Sequence, residues 1–173
     1  AKKAYDEALE GKSWSNPPAF RNAPHREKIL PYIDGAGDQV MHITSDWGDI
    51  CYILREAAVK DDITQSVSVD ELTDFFLYVK ELNARWCYAR TEKTRSICQI
   101  ITLEDLAGVK GSQSADFRQA ISDAYEQSEA LHPLVTGPTF LLNMPFQMKV
   151  ASAFKPLFPE SMKAKLRSGD GRL

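Results

Sequence analysis

The sequence lacks a long apolar run. A membrane-spanning helix needs about 20 consecutive apolar residues, and no segment of this 173-residue chain comes close to that length. The first residues also show no signal-peptide pattern. With 43% hydrophobic residues, the chain has enough apolar side chains for one buried core. These properties predict a soluble globular chain with a single hydrophobic core.

Cysteine is scarce as well. The three cysteines, Cys51, Cys87 and Cys98, are odd in number and show none of the spacings typical of a metal site. A disulfide framework is therefore not expected, and buried thiols in a reducing compartment are the simpler interpretation.

The sequence also contains no motif of a nucleotide-binding loop, a serine hydrolase or a zinc protease. Its three histidines are far apart, and His42 on a predicted strand is typical of a core histidine. The pair Glu104 and Asp105 lies on one predicted strand, where adjacent side chains point to opposite faces and cannot act together. We therefore expect no enzyme and no metal or other cofactor.

Positive charge is concentrated near the end of the chain. The net charge is −3, which does not favour nucleic acid as a partner. Residues 149–172 nevertheless hold six basic residues against two acidic ones, so this segment carries +4 and the remainder −7. Such asymmetry predicts a cationic face on an acidic body, or else an ordinary solvated helix end.

Hydrophobic periodicity predicts alternating strands and helices. Short apolar runs predict strands over 40–44, 99–106 and 139–143. Apolar residues at helical spacing predict helices over 70–90 and 116–131, and a cap near Ser45 or Asp46 predicts another over 47–58. This order is typical of an α/β fold with a mostly parallel β-sheet and helices on one face.

The order of these elements resembles the CRAL-TRIO lipid-binding domain, the family of phosphatidylinositol/phosphatidylcholine transfer proteins and of tocopherol- and retinaldehyde-binding relatives. The residues that carry the resemblance are Asn143-Met-Pro-Phe146, Phe154-Lys-Pro-Leu157, the turn Asp105-Leu-Ala-Gly108 and the corner His132-Pro133-Leu134. By this resemblance, residues 1–24 are the end of an N-terminal helical module with a linker. Residues 25–173 are then the lipid-binding domain without its C-terminal end.

The resemblance implies a gate helix, which we place at 146–158, over an apolar cavity on the face of the sheet opposite the other helices. Hydrophobic residues of this segment suit a movable lid, although the same pattern fits a last core helix. The implied lipid-pocket residues are Ile100, Thr102, Leu141, Phe146, Val150, Phe154 and Leu157. The basic residues placed to contact a lipid headgroup or a membrane are Lys149, Lys155, Lys163 and Lys165.

Several polar positions depart from the family pattern. Leu134 stands where phosphoinositide-binding members have Glu, Met162 where they have Thr, and Ile100 where a choline-phosphate contact is Ser. Lys165 and Thr102 match. A buried polar headgroup left without partners loses about 1–3 kcal/mol per unmet group, so the pattern favours a less polar ligand. Tocopherol-like, retinoid, carotenoid or sterol-like molecules, broadly isoprenoid-type lipids, fit this expectation.

Two functions remain from the sequence. The first is binding and transfer or presentation of a hydrophobic lipid in an enclosed pocket at a membrane surface. The second is a degenerate lipid-binding domain that serves as a structural or interaction subunit of a larger membrane-associated assembly. In both, the protein is peripheral to a membrane on its cytoplasmic or organellar soluble side, with lipid or protein subunits as partners.

Overall fold

The computed structural model describes residues 22–37, 41–44, 50–55, 57, 59–60, 62–109, 114–144 and 163–168. Within these ranges the chain forms α1 (Arg26–Gly37), β1 (Met41–Thr44), β2 (Ile50–Arg55), a 3₁₀ turn (Ile63–Gln65), α2 (Val69–Thr94), β3 (Ile100–Asp105), α3 (Ala115–Leu131), β4 (Thr136–Leu142) and β5 (Leu166–Ser168).

The five described strands form one sheet in the order β1-β2-β3-β4-β5. The β1 strand runs antiparallel to β2, whereas β2, β3, β4 and β5 are all parallel. The predicted fold class, α/β with a mostly parallel sheet, is confirmed. So are the strands expected over 40–44, 99–106 and 139–143.

The prediction of a helix over 47–58 is wrong, because Ile50–Arg55 is strand β2. Its run of isoleucine, tyrosine and leucine suits a strand that is paired on both sides. The cap-like Ser45 and Asp46 gave a misleading helix signal. Strand β5 was not predicted, since its three residues are too short to show an alternating pattern.

Both long helices start at well-formed caps. The Ser68 hydroxyl accepts a hydrogen bond from the Glu71 amide, and the Glu71 carboxylate accepts one from the Ser68 amide, which completes a capping box for α2. At the other end, α2 stops where Arg95 adopts a left-handed conformation. The Ser114 hydroxyl caps α3 by accepting from the Phe117 amide at 3.1 Å.

The two long helices cover one face of the sheet. Phe75 and Val79 of α2 and Phe117 of α3 belong to one buried cluster, against which Tyr52 and Leu54 of β2 pack. The predicted apolar stripe on α2 is therefore a core face. Because adjacent strands connect in sequence, right-handed crossovers place both helices on the same side.

A bulge interrupts the pairing of β3 with β4. Ile100 is opposite Thr136 and Thr102 is opposite Thr139, so β4 uses one extra residue over this stretch. Pro138, which has no N–H to donate, lies within the extra stretch. At Gly137 an added Cβ would come within 2.8 Å of the Ile100 carbonyl oxygen, so glycine permits the close approach of the two strands.

Candidate functional site

The carboxyl end of the sheet, where β2, β3 and β4 finish, is organised by Asp105. Its Oδ1 atom accepts a hydrogen bond from Asn143 Nδ2 at 2.9 Å and from the Ala107 amide at 3.0 Å. Its Oδ2 atom lies 3.7 Å from Arg55 Nε, across the β2–β3 pair. The Asp105 residue is only 5% exposed, so this carboxylate joins three strand ends inside the protein.

Asn143 marks the point where the chain leaves β4. It adopts a left-handed conformation with φ of 51°, which asparagine tolerates better than most residues. The strand therefore stops at Leu142, and the Asn143 side chain turns back to Asp105. In parallel α/β sheets this end is where ligands commonly bind. The predicted strand end at Asn143 is thus a fixed corner.

A second polar cluster lies between the helices and the sheet. Lys80 of α2 places its Nζ atom 4.8 Å from the centre of the Tyr125 ring of α3. Burial lowers the pKa of the Lys80 amine to about 8, although the nearby carboxylates of Glu104 and Glu129 act in the opposite direction. Burial, followed by the Glu129 carboxylate, raises the pKa of the Tyr125 hydroxyl.

Glu129 links this cluster to the start of β5. Lys165 Nζ donates to Glu129 Oε1 at 2.7 Å, and both side chains are about one quarter exposed, at 27% and 23%. The second carboxylate oxygen of Glu129 and the Tyr125 hydroxyl are buried without a hydrogen bond of normal geometry. The amine of the half-buried Lys80 lies near two carboxylates, and these contacts help to hold α2, α3 and the sheet together.

The structure separates the adjacent acids Glu104 and Asp105 as predicted for strand neighbours. Glu104 lies on the helix-covered face, near Lys80, whereas Asp105 contacts Arg55 and Asn143 at the strand ends. The two carboxylates therefore have different partners.

The predicted lipid-pocket residues fall into two groups. Ile100 packs with Cys87 of α2, and Leu141 packs with Tyr125 of α3, so both lie in the helix-packed core. Thr102 has the same strand parity as Ile100 and is half-buried. A lipid-pocket role for these three stays a prediction. The other four lie outside the described residues: Phe146, Val150, Phe154 and Leu157.

Two of the predicted headgroup or membrane contacts lie within the described residues and two lie outside them. Lys149 and Lys155 lie outside the described residues. Lys163 makes a contact of its own within the protein. Because Lys165 forms an ion pair with Glu129, a contact of its amine with lipid competes with that pair.

The amino end of the sheet, where β3 and β4 begin, differs in character. Gln99 Nε2 donates to the Leu134 carbonyl at 3.1 Å, which joins the residues just before β3 to those just before β4. The Tyr88 hydroxyl lies 2.7 Å from His132 Nδ1, and His132 Nε2 lies 2.7 Å from Glu81 Oε2. His132 therefore connects α2 with the end of α3.

This end also carries exposed apolar side chains. Among the residues that the structure describes, the exposed large hydrophobic side chains all lie here, with exposures from 46% to 68%: Tyr88, Ile97, Leu131 and Leu134. The sequence did not indicate this group, because its members come from three separate segments. We call these four residues the amino-end patch.

Comparison with protein-family models and with curated proteins finds no match to the chain. In the described ranges, no three or more His, Cys, Asp or Glu side chains are grouped so that they could hold a metal ion. No helix in those ranges combines the length and apolar character needed to cross a membrane.

Proposed function

We propose that this protein binds a hydrophobic lipid in an apolar pocket and transfers or presents it at a membrane surface. The observation that carries the proposal is the fixed corner at Asn143, which lies at the strand end expected from the CRAL-TRIO resemblance. The strands predicted over 40–44, 99–106 and 139–143 and the helix predicted over 116–131 also occur, although strand β2 stands where a helix was predicted over 47–58.

The described residues on either side of the predicted gate helix are each held by a side-chain contact. Asn143 binds Asp105 on one side, and Lys165 binds Glu129 on the other. The predicted gate helix at 146–158 lies between these anchors. Fixed ends allow a segment to move without releasing its connections to the body of the protein.

A lipid carrier needs such a pocket for an energetic reason. Burying each methylene group is worth about 0.8 kcal/mol, so a lipid chain leaves a bilayer only for another apolar enclosure. Leu134 and Ile100 stand where the resembling family has polar headgroup contacts. These apolar side chains favour an isoprenoid-type ligand. Leu134 is exposed and Ile100 is buried, and neither side chain carries a polar group.

The direct test is lipid retention by the purified chain. We expect mass spectrometry of organic extracts to find one dominant apolar lipid in stoichiometric amount. Phe154→Asp should remove the lipid while far-ultraviolet circular dichroism stays unchanged. Leu131→Asp places the same charge at the amino-end patch and serves as the matched control, which should retain the lipid. Equal retention by both variants would contradict the proposal.

A second candidate function is that of an interaction subunit in a membrane-associated assembly. The amino-end patch favours it, because large apolar side chains that gather on a surface are typical of a protein–protein contact. The Lys165–Glu129 pair also favours it, since it occupies a lysine assigned to lipid. Under this function, Leu134→Asp should abolish co-purification with a partner, and the purified chain should carry no lipid.

A further inference from the structure

Cys87 and Cys98 bring two thiols into contact. Their Sγ atoms are 3.8 Å apart, and both residues are buried, with exposures of 0% and 4%. Cys87 lies on α2, and Cys98 lies in the approach to β3. The 11-residue separation matches no metal or redox motif, so only the fold reveals the pair.

We propose that Cys87 and Cys98 form an oxidant-sensitive dithiol, which closes to a disulfide when the protein meets a peroxide. This inference does not depend on lipid binding. A disulfide has an S–S distance of about 2.05 Å, so the two sulfur atoms must approach by less than the width of one atom. No rearrangement of the sheet is required.

The chain around Cys98 is able to supply that movement. Residues 95–99 belong to no helix or strand, and they begin at Arg95, whose φ of 61° ends α2. Ile97, next to Cys98, is 68% exposed. Local opening of such a segment costs far less than unfolding the protein, and it exposes Cys98 to a small oxidant.

The chemistry balances with peroxide as the oxidant. The Cys98 thiolate attacks one peroxide oxygen, the O–O bond breaks, and the departing hydroxide takes a proton to become water. The resulting sulfenic acid is then attacked by the Cys87 sulfur. The S–S bond forms, the S–O bond breaks, and a second water leaves. Two thiols are oxidised and one peroxide is reduced.

The third cysteine provides an internal control. Cys51 is opposite Ile101 in the β2–β3 pairing, whereas the thiol pair packs against Ile100. Since strand neighbours point to opposite faces, the sheet separates Cys51 from the pair. Cys51 is also buried, so its lack of reaction would reflect position rather than burial alone.

The disulfide would act on the amino-end patch. Cys87 is the chain neighbour of Tyr88, and Cys98 is the chain neighbour of Ile97. A covalent link therefore joins α2 to the residues before β3 at positions adjacent in sequence to two exposed apolar side chains. Oxidation would hold that surface in one arrangement.

The test is exposure of the purified full chain to hydrogen peroxide, followed by trypsin digestion without reduction. Arg90, Lys93 and Arg95 separate the two cysteines into different peptides. We expect a linked pair of peptides, 86–90 with 96–110, and an intact mass lower by two hydrogen atoms that dithiothreitol restores. Cys51→Ala should behave like the wild type, and Cys98→Ala should not form the link.

Two results would overturn the proposal. One is the absence of the linked peptides under conditions that oxidise a small dithiol completely. The other is oxygen addition to single cysteines, or a link that includes the peptide 29–55 with Cys51. Because the wild-type digest alone gives these answers, a variant that fails to fold does not affect the conclusion.

Discussion

The strand ends at the two edges of the sheet are held by different kinds of contact. At the carboxyl end, one buried carboxylate, Asp105, accepts hydrogen bonds from two sides and faces Arg55. At the amino end, Tyr88, His132 and Glu81 form a chain of contacts that remains close to solvent, beside the amino-end patch. Hydrogen bonding therefore stabilises the first end internally, while the second presents a surface.

Mutations at the two ends should therefore lower the stability of the protein by unequal amounts. Asp105→Ala should lower the free energy of unfolding by about 3 kcal/mol, because it removes the acceptor of the Asn143 side chain and of the Ala107 amide, and the charge that faces Arg55. Urea denaturation measures this loss. Asp62→Ala is the matched control, since Asp62 is exposed and its side chain makes no cap hydrogen bond. Similar losses in both variants would show that the carboxyl end is not held by Asp105.

The desolvated amine of the half-buried Lys80 predicts a specific pH dependence. Its pKa is lowered from 10.5 to about 8, so above that pH the unfolded chain binds a proton that the folded chain has lost. Stability should therefore rise with pH between about 8 and 10, by at most about 1.4 kcal/mol per pH unit. Below pH 8 both states are protonated and this slope is absent.

Thermal unfolding of the wild type and of Lys80→Met across this range measures the effect. We expect the rise to disappear in the variant. The Tyr125 hydroxyl, whose pKa is raised by burial, begins to oppose the trend only near the ordinary tyrosine pKa of 10.0. An identical slope in both proteins would mean that Lys80 is not the titrating group.

The anchor before β5 should contribute less than Asp105. The Lys165–Glu129 pair is partly exposed, so Lys165→Met should cost about 1 kcal/mol. Lys93→Met, at an exposed position of α2, provides the control. The Lys165 variant also tests the proposed function. If Lys165 contacts anionic lipid, Lys165→Met should weaken salt-sensitive binding to anionic vesicles, and Lys155→Ala should weaken it as well. Binding unaffected by salt would leave Lys165 with a structural role alone.

The smallest change in stability is expected at the amino-end patch. Ile97→Ser and Leu134→Ser should alter the free energy of unfolding by no more than about 0.5 kcal/mol, because both side chains already face solvent. Chemical denaturation checks this. A loss comparable with that of Asp105→Ala would place the two residues in the core and remove the contrast between the ends.

Long, periodic elements were predictable from the sequence, whereas contacts between distant residues were not. The stripe of Leu72, Phe75 and Val79 identified α2, and the apolar run before Asn143 identified β4. Strand β2 was missed because its apolar run follows a cap-like pair, so local signals conflicted. Pairing with neighbouring strands determines whether such a segment becomes a strand, and the local sequence does not show which strands will pair.

The candidate sites show the same limit. Lys165 meets Glu129 across 36 positions, and Cys87 meets Cys98 only because α2 ends beside the start of β3. Sequence reasoning assigned Lys165 to lipid from its position after the gate segment. It had no information on the carboxylate that the fold brings beside that amine.

Native mass spectrometry of the purified full chain is the decisive test of lipid binding. We expect a species heavier than the 173-residue chain by the mass of one apolar lipid. Organic extraction should remove that mass, and Phe154→Asp should lack it. Lipid binding would be refuted by a chain that carries no lipid after purification and acquires none from vesicles containing isoprenoid-type lipids.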